Sequence, residues 1–205
     1  MHQGHCWQCE HPAEHNLFCT FCNSLQRPQT DYYAFFGLPH KLRLDSADLQ
    51  KRFYQLSKLL HPDRYTRRPQ REKDYSLEAT AILNDGYRVL RDPVRRAEYV
   101  LIEQGFDNGE PRSKDVPPEL LEEVFAWNMA IEELRGGDQS VRPQLEKARD
   151  TLQGMLGELD AQLDARFGEW DSGHGKPTLA AIRAVLNKRK YVGNLVTEVE
   201  KALTA

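Results

Sequence analysis

From Tyr32 to the end of the chain, apolar residues return every three or four positions, and no stretch alternates in the two-residue rhythm of a strand. Tyr32-Tyr33-Ala34-Phe35-Phe36 predicts a short apolar helix stopped by Gly37 and Pro39. Asp45 or Ser46 caps a second helix, whose apolar positions Leu49, Phe53, Leu56 and Leu60 are spaced four, three and four. It ends near His61-Pro62, because proline disfavours helix in the residue before it. After a charged stretch over 64–75, a third helix is expected from about Tyr75 to Leu90, through Leu77, Ala81, Ile82, Asn84 and Tyr87. A fourth, short helix starts at Asp92-Pro93 and ends at Gly105, and residues 107–118, rich in Pro, Gly and charge, read as a linker. Three long amphipathic helices follow, over about 118–135, 141–167 and 177–203.

The first of these long helices carries two apolar stripes. Leu120, Val124, Trp127, Ile131 and Leu134 make a core seam. Leu121, Phe125 and Met129 recur at every fourth position, roughly 100–180° round the helix. A helix in a three-helix bundle needs one buried stripe, so the second either packs on the preceding helices or binds a partner.

The first 31 residues have no such period. Their signal is four cysteines, Cys6, Cys9, Cys19 and Cys22, in two C-x-x-C pairs nine residues apart. Two such knuckles supply four soft ligands in a tetrahedron, which suits a structural zinc; iron is the alternative occupant of the same ligand set. Metal binding then supplies folding free energy to a segment too short for its own core. The competing readings are two disulfides, which need an oxidising compartment, and a redox pair, which normally follows a strand. His5, His11 and His15 are substitute ligands that four sulfurs make unnecessary. Residues 23–31 are polar and turn-rich, and read as a linker.

Composition narrows the class. The chain has 205 residues, 40% hydrophobic and 29% charged, with a net charge of −3, which argues against a strongly basic nucleic-acid binder and an acidic tail protein. No run approaches the about 18 apolar residues of a membrane span, and the N-terminus resembles neither a secretory signal nor an Arg-rich transit peptide. The expected location is the bacterial cytoplasm, or the mitochondrial matrix for a processed chain. Against the overall −3, Lys51 to Lys73 holds eight Lys/Arg and two acids. Such asymmetry predicts an acidic docking partner, and its bland alternative is a solvated helix face. His61-Pro62-Asp63 sits within this stretch. General acid–base chemistry there lacks a second His/Asp/Cys constellation, so no enzyme activity is expected.

The runs YYAFFGLP, LQKRFYQLSKLLHPDRY and ATAILNDGYRVLRDPVRRAEYVL, over residues 32–104, resemble the J-domain of HscB-type co-chaperones of iron–sulfur cluster assembly. Asn84, Tyr87, Leu90, Pro93, Arg96, Ala97 and Tyr99 carry the pattern that separates this group from general J-domains. The paired knuckles beginning Cys-Trp are similar to those of mitochondrial, animal-type members. The resemblance implies that His61, Pro62 and Asp63, with Lys51, Arg52 and Lys58 on the preceding helix, dock on a seventy-kilodalton chaperone of the DnaK/HscA type. It also implies that Leu121, Phe125 and Tyr191 bind an IscU-type scaffold protein. The chain departs from the family where Ala126 and Met129 stand at positions that usually hold carboxylates.

The expected architecture is therefore all-α: a four-Cys knuckle over 1–28, a J-domain helical hairpin over 31–105 and a three-helix bundle over 117–205. The expected function is an adaptor that stimulates a chaperone ATPase and delivers a scaffold protein to it, with no nucleic-acid or membrane partner. The alternatives are a general J-protein with another client, and a zinc-dependent nucleic-acid-binding or redox protein.

Overall fold

The structure, a computed structural model, describes residues 4–13, 16–106, 120–173 and 175–204, with Leu121 described in its backbone only. His15, the expected linker 107–118 and the start of the bundle at 117–119 lie outside the described residues. The elements are α1 (Tyr32–Phe36), α2 (Ser46–Leu60), α3 (Gln70–Leu90), α4 (Pro93–Glu103), α5 (Leu120–Arg135), α6 (Arg142–Asp171) and α7 (Lys176–Thr204). The fold is all-α. Among the described residues only two isolated bridges, His5 with Pro12 and Phe18 with Leu25, are β-like. The chain forms two compact units, residues 1–96 and 97–205.

Local chemistry sets the boundaries in the first unit. Asp31 caps α1, its side chain accepting from the Ala34 N–H, and Gly37 closes it in the left-handed region at φ 62°. Asp45 caps α2 by accepting from the Ala47 and Asp48 N–H groups. The third helix begins at Gln70, five residues before the expected Tyr75, because Pro69 supplies the break and the charged turn after it is helix rather than loop.

The face α3 buries also differs from the expected one. Glu72, Ser76, Ala79, Leu83, Gly86 and Leu90 point inward, whereas Leu77 is 59% exposed. The inward row keeps a spacing of four and three, but three of its members are not apolar side chains. Each has a specific reason to be inside. Gly86 lets the Tyr32 and Phe36 rings approach so closely that a Cβ there would lie 2.9 and 3.0 Å from them. Phe53 of α2 stacks on Tyr87 of α3 with ring centroids 4.1 Å apart. Arg96, buried at the start of α4, donates to the carbonyls of Leu42 (2.7 Å) and Leu90, tying the α3 C-terminus to the loop before α2.

The polar segment 23–31 is not a free linker. Ser24, Leu25, Gln26 and Pro28 are buried, Leu25 completely. Polarity misleads here because the buried polar atoms meet cysteine sulfur and α3 rather than water.

In the second unit α5, α6 and α7 share one core. The expected seam of α5 faces it through Leu120, Trp127, Ile131 and Leu134, with Ala130 added and Val124 partly buried. Leu145, Ala148, Leu152 and Leu159 of α6 and Val192, Leu195, Val196 and Val199 of α7 complete it. Asp138 caps a 3-10 turn (Gln139–Val141) that leads into α6.

Candidate functional site

Two knuckles of one design build the cysteine site. In the first, the Glu10 N–H donates to the Cys6 carbonyl and the Cys6 N–H to the His11 carbonyl; in the second, Asn23 and Cys19 repeat this with Cys19 and Ser24. The residue after each knuckle's second cysteine, Glu10 or Asn23, takes a left-handed φ of 61° or 57°. The Gln8 and Phe21 N–H groups each donate to the first sulfur of their knuckle at 3.4 Å. All four Sγ atoms lie within 4.8 Å of one another, and the pairs Cys6–Cys22 and Cys9–Cys19 are 3.6 Å apart. A disulfide needs about 2.05 Å, so these are four separate thiols. A tetrahedral site with metal–sulfur bonds of about 2.3 Å places its sulfurs about 3.8 Å apart. The donor set therefore fits a metal ion.

The surroundings agree. Burial works to raise the Cys6 thiol, but hydrogen bonds from Ser24 and the backbone at Cys9 and Gln8 bring it down to about 5. A backbone hydrogen bond at His11 works to lower Cys9, yet burial and the other three thiols push it up to about 12. Four thiols this close cannot all ionise without a cation between them. Ser24 Oγ stands 3.3 Å from Cys6 Sγ and 3.1 Å from Cys22 Sγ, and Gln26 Nε2 donates to Ser24 Oγ (2.8 Å) and Cys6 Sγ (3.3 Å). His11 is not a ligand; its ring stacks on the exposed Phe21.

The knuckle sits against the first turn of α3. Glu72 Oε1 accepts the Leu25 N–H at 2.9 Å, and Trp7 Nε1 donates to the Leu25 carbonyl at 2.7 Å. The Arg71 guanidinium lies over the Trp7 ring, 5.3 Å from its centroid.

The second cluster is the loop between α2 and α3. His61 ends α2 and opens a 3-10 turn over Pro62–Tyr65. The Asp63 N–H donates to His61 Nδ1 at 3.3 Å, and the Arg64 N–H to the His61 carbonyl at 3.0 Å. The Asp63 carboxylate also approaches His61 Nδ1, at 3.5 Å. The tip is solvated: the side chain of His61 is 59% and that of Asp63 87% exposed. The base of the loop is held from inside. Ser76 Oγ and Thr80 Oγ1 donate to the Leu60 carbonyl at 2.7 and 3.3 Å, and Tyr65 Oη donates to the Leu59 carbonyl at 3.1 Å. Burial raises the Tyr65 phenol above its ordinary value, and the Glu72 charge adds to this.

Lys51 and Lys58 are exposed seven residues apart, hence on one face of α2, with Tyr54 between them at 57% exposure. Arg52 is engaged differently. Its guanidinium pairs with Asp48 at 2.8 Å and donates to the carbonyls of Phe36 (3.1 Å) and Gly37 (2.8 Å), so it ties α1 to α2.

In the second unit Phe125 is 68% and Met129 52% exposed. Leu121 lies on the same helix, its side chain outside the described residues. Tyr191 is partly buried against the bundle core. Sequence reasoning missed Ser24, Gln26, Glu72 and Ser76. The available signal was Ser24 itself, which stands two residues after Cys22 as His11 stands two after Cys9.

A family model described as the DnaJ domain matches residues 31–99, and one described as the HSCB C-terminal oligomerisation domain matches residues 116–200. The chain is 28% identical over 205 residues to the iron-sulfur cluster co-chaperone protein HscB of Mus musculus, covering 97% of this chain and 82% of that protein. The crystal structure of human co-chaperone protein HscB superposes with a TM-score of 0.73 at 26% identity, covering 96% of this chain and 97% of the other. Chaperone HscB from Vibrio cholerae gives 0.61 at 27% identity, covering 83% and 96%. The co-chaperone protein HscB homolog of Aromatoleum aromaticum is 30% identical over 179 residues, which span 86% of this chain and 96% of the relative. With such a relative matched over nearly its whole length, and both domain models matched in order, the chain belongs to the HscB family of J-domain co-chaperones.

Proposed function

We propose that this chain docks its His61-Pro62-Asp63 loop on a DnaK/HscA-type seventy-kilodalton chaperone, raises that chaperone's ATPase rate, and delivers to it an IscU-type scaffold protein during iron–sulfur cluster biogenesis. The observation that carries the reading is the loop's geometry: a solvated histidine and carboxylate on a turn whose base is anchored from α3. Asp63 offers a charge-assisted hydrogen bond to a cationic group of the chaperone. Pro62 and the anchored base limit the ordering entropy lost on docking. Lys51 and Lys58 steer an acidic surface toward the loop and act chiefly on the association rate. The chain itself hydrolyses nothing. The scaffold binds at Leu121, Phe125 and Tyr191. Cys6, Cys9, Cys19 and Cys22 hold zinc, which when bound constrains both knuckles and supplies folding free energy.

The test is the ATPase rate of such a chaperone with this protein, with a scaffold protein, and with both. Synergistic stimulation that is lost in His61→Gln is the expected result. Stimulation indifferent to the scaffold points instead to a J-protein with another client, and no stimulation at all overturns the docking role of the loop.

A further inference from the structure

We propose that Glu72 is the positioning residue that makes the metal knuckle a brace for the His61-Pro62-Asp63 loop. One peptide of the knuckle, that of Leu25, is gripped from both sides: Glu72 accepts its N–H at 2.9 Å and Trp7 Nε1 donates to its carbonyl at 2.7 Å. Leu25 is fully buried and follows Cys22 by three residues, so its position is set by the second knuckle. The Glu72 side chain is 4% exposed, and Arg68, itself 61% exposed, approaches its other oxygen at 3.9 Å. Arg71, the neighbour of Glu72, covers the Trp7 ring. Consecutive residues of the first turn of α3 thus hold two points of the knuckle.

The same turn carries the loop. Eight residues separate Asp63 from Glu72, and the Arg68 and Glu72 N–H groups donate to the carbonyls of Tyr65 and Pro69. Ser76, one turn further along the same face, holds the last carbonyl of α2. When the metal leaves, the knuckle releases Leu25 and Glu72 becomes a buried carboxylate without its donor, a state that favours opening of the turn. Linkage makes the coupling reciprocal: whatever factor the metal adds to the stability of this turn, the formed turn adds to metal affinity.

This inference rests on the metal-binding reading of the knuckle. Its test uses the full chain loaded with zinc, hydrogen exchange over residues 61–76, and zinc release to a chelating dye. Stripping the metal is expected to speed exchange over 61–76 about tenfold, roughly 1.4 kcal/mol of opening free energy, with α6 and α7 unchanged. Glu72→Leu is expected to speed zinc release about tenfold and to abolish the effect of metal on 61–76. Glu72→Gln keeps an acceptor for the Leu25 N–H and stays within about threefold of the wild type, a rescue that mere side-chain volume does not explain. Should Glu72→Leu fail to fold, Trp7→Phe removes the opposite hydrogen bond and is read the same way. Exchange over 61–76 indifferent to metal, or release from Glu72→Leu at the wild-type rate, overturns the brace while leaving the metal site standing. A chain that takes up no metal overturns both.

Discussion

The Leu60 carbonyl is the last acceptor of α2 and sits where the chain turns into the His61-Pro62-Asp63 loop. Ser76 satisfies it at 2.7 Å from a fully buried position, and Thr80 adds a longer bond from α3. Ser76→Ala removes the shorter bond without changing the backbone, and is expected to cost about 1–2 kcal/mol in denaturant unfolding. Thr80→Ala costs less, because its bond is 3.3 Å and its side chain only half-buried. Equal losses would contradict this assignment. A second residue-scale prediction concerns pH. A side-chain and a backbone hydrogen bond at Ser140 hold the Asp138 carboxyl below its ordinary 3.8. A carboxyl depressed on folding stabilises the folded state fully above its unfolded pKa and loses that contribution as pH falls through the folded one. Asp138→Ala is therefore less stable than the wild type at pH 7, and the gap narrows as pH falls below about 4. A gap that widens in acid contradicts the sign.

At the scale of elements, α3 shows what periodicity can and cannot supply. Its existence and its end at Leu90 follow from spacing and from Asp92-Pro93. Its buried face does not, because Glu72, Ser76 and Gly86 occupy inward positions that a hydrophobicity count assigns to solvent. Each is inside for a contact with a distant residue, and the sequence alone does not bring those residues together. Glycines in two helices test this with opposite signs. In α3, Gly86→Ala gains about 1 kcal/mol of helix propensity but drives a methyl into the Tyr32 and Phe36 rings. Overpacking of about 1–3 kcal/mol outweighs that gain, so the melting temperature falls. In α6, a methyl at Gly154 or Gly157 meets nothing within 4 Å. Gly154→Ala and Gly157→Ala are therefore each expected to stabilise by about 0.5–1 kcal/mol, read as a rise in melting temperature. The long helices of the bundle were legible because their inward positions are almost all apolar, as the row Leu145, Ala148, Leu152, Leu159 and Leu163 illustrates.

At the scale of the whole molecule, the two surfaces proposed for docking lie in different units, the His61 loop within residues 1–96 and the Phe125 face within 97–205. The second stripe of α5 is legible in the sequence, which leaves it either to pack on the preceding helices or to bind a partner; Phe125 and Met129 on it are exposed. Tyr191 was assigned by resemblance alone, and its partial burial against the core means that removing it also loosens the bundle. This asymmetry decides how scaffold binding should be tested. Phe125→Ala removes an aromatic ring that contributes little to the fold, so unfolding free energy should move by no more than about 0.5 kcal/mol. An aromatic anchor at the centre of an interface is worth about 2 kcal/mol or more, so scaffold affinity should fall by roughly thirtyfold. Tyr191→Phe, rather than Tyr191→Ala, separates the hydroxyl from the packing of the ring. His61→Gln should leave scaffold affinity unchanged while abolishing ATPase stimulation, and Phe125→Ala should keep the stimulation seen without scaffold and lose the synergy. If Phe125→Ala binds scaffold as tightly as the wild type, the exposed stripe is not the scaffold's seat. If instead His61→Gln weakens scaffold binding, the two surfaces are not independent, and the adaptor would work by coupling its units rather than by carrying two separate contacts.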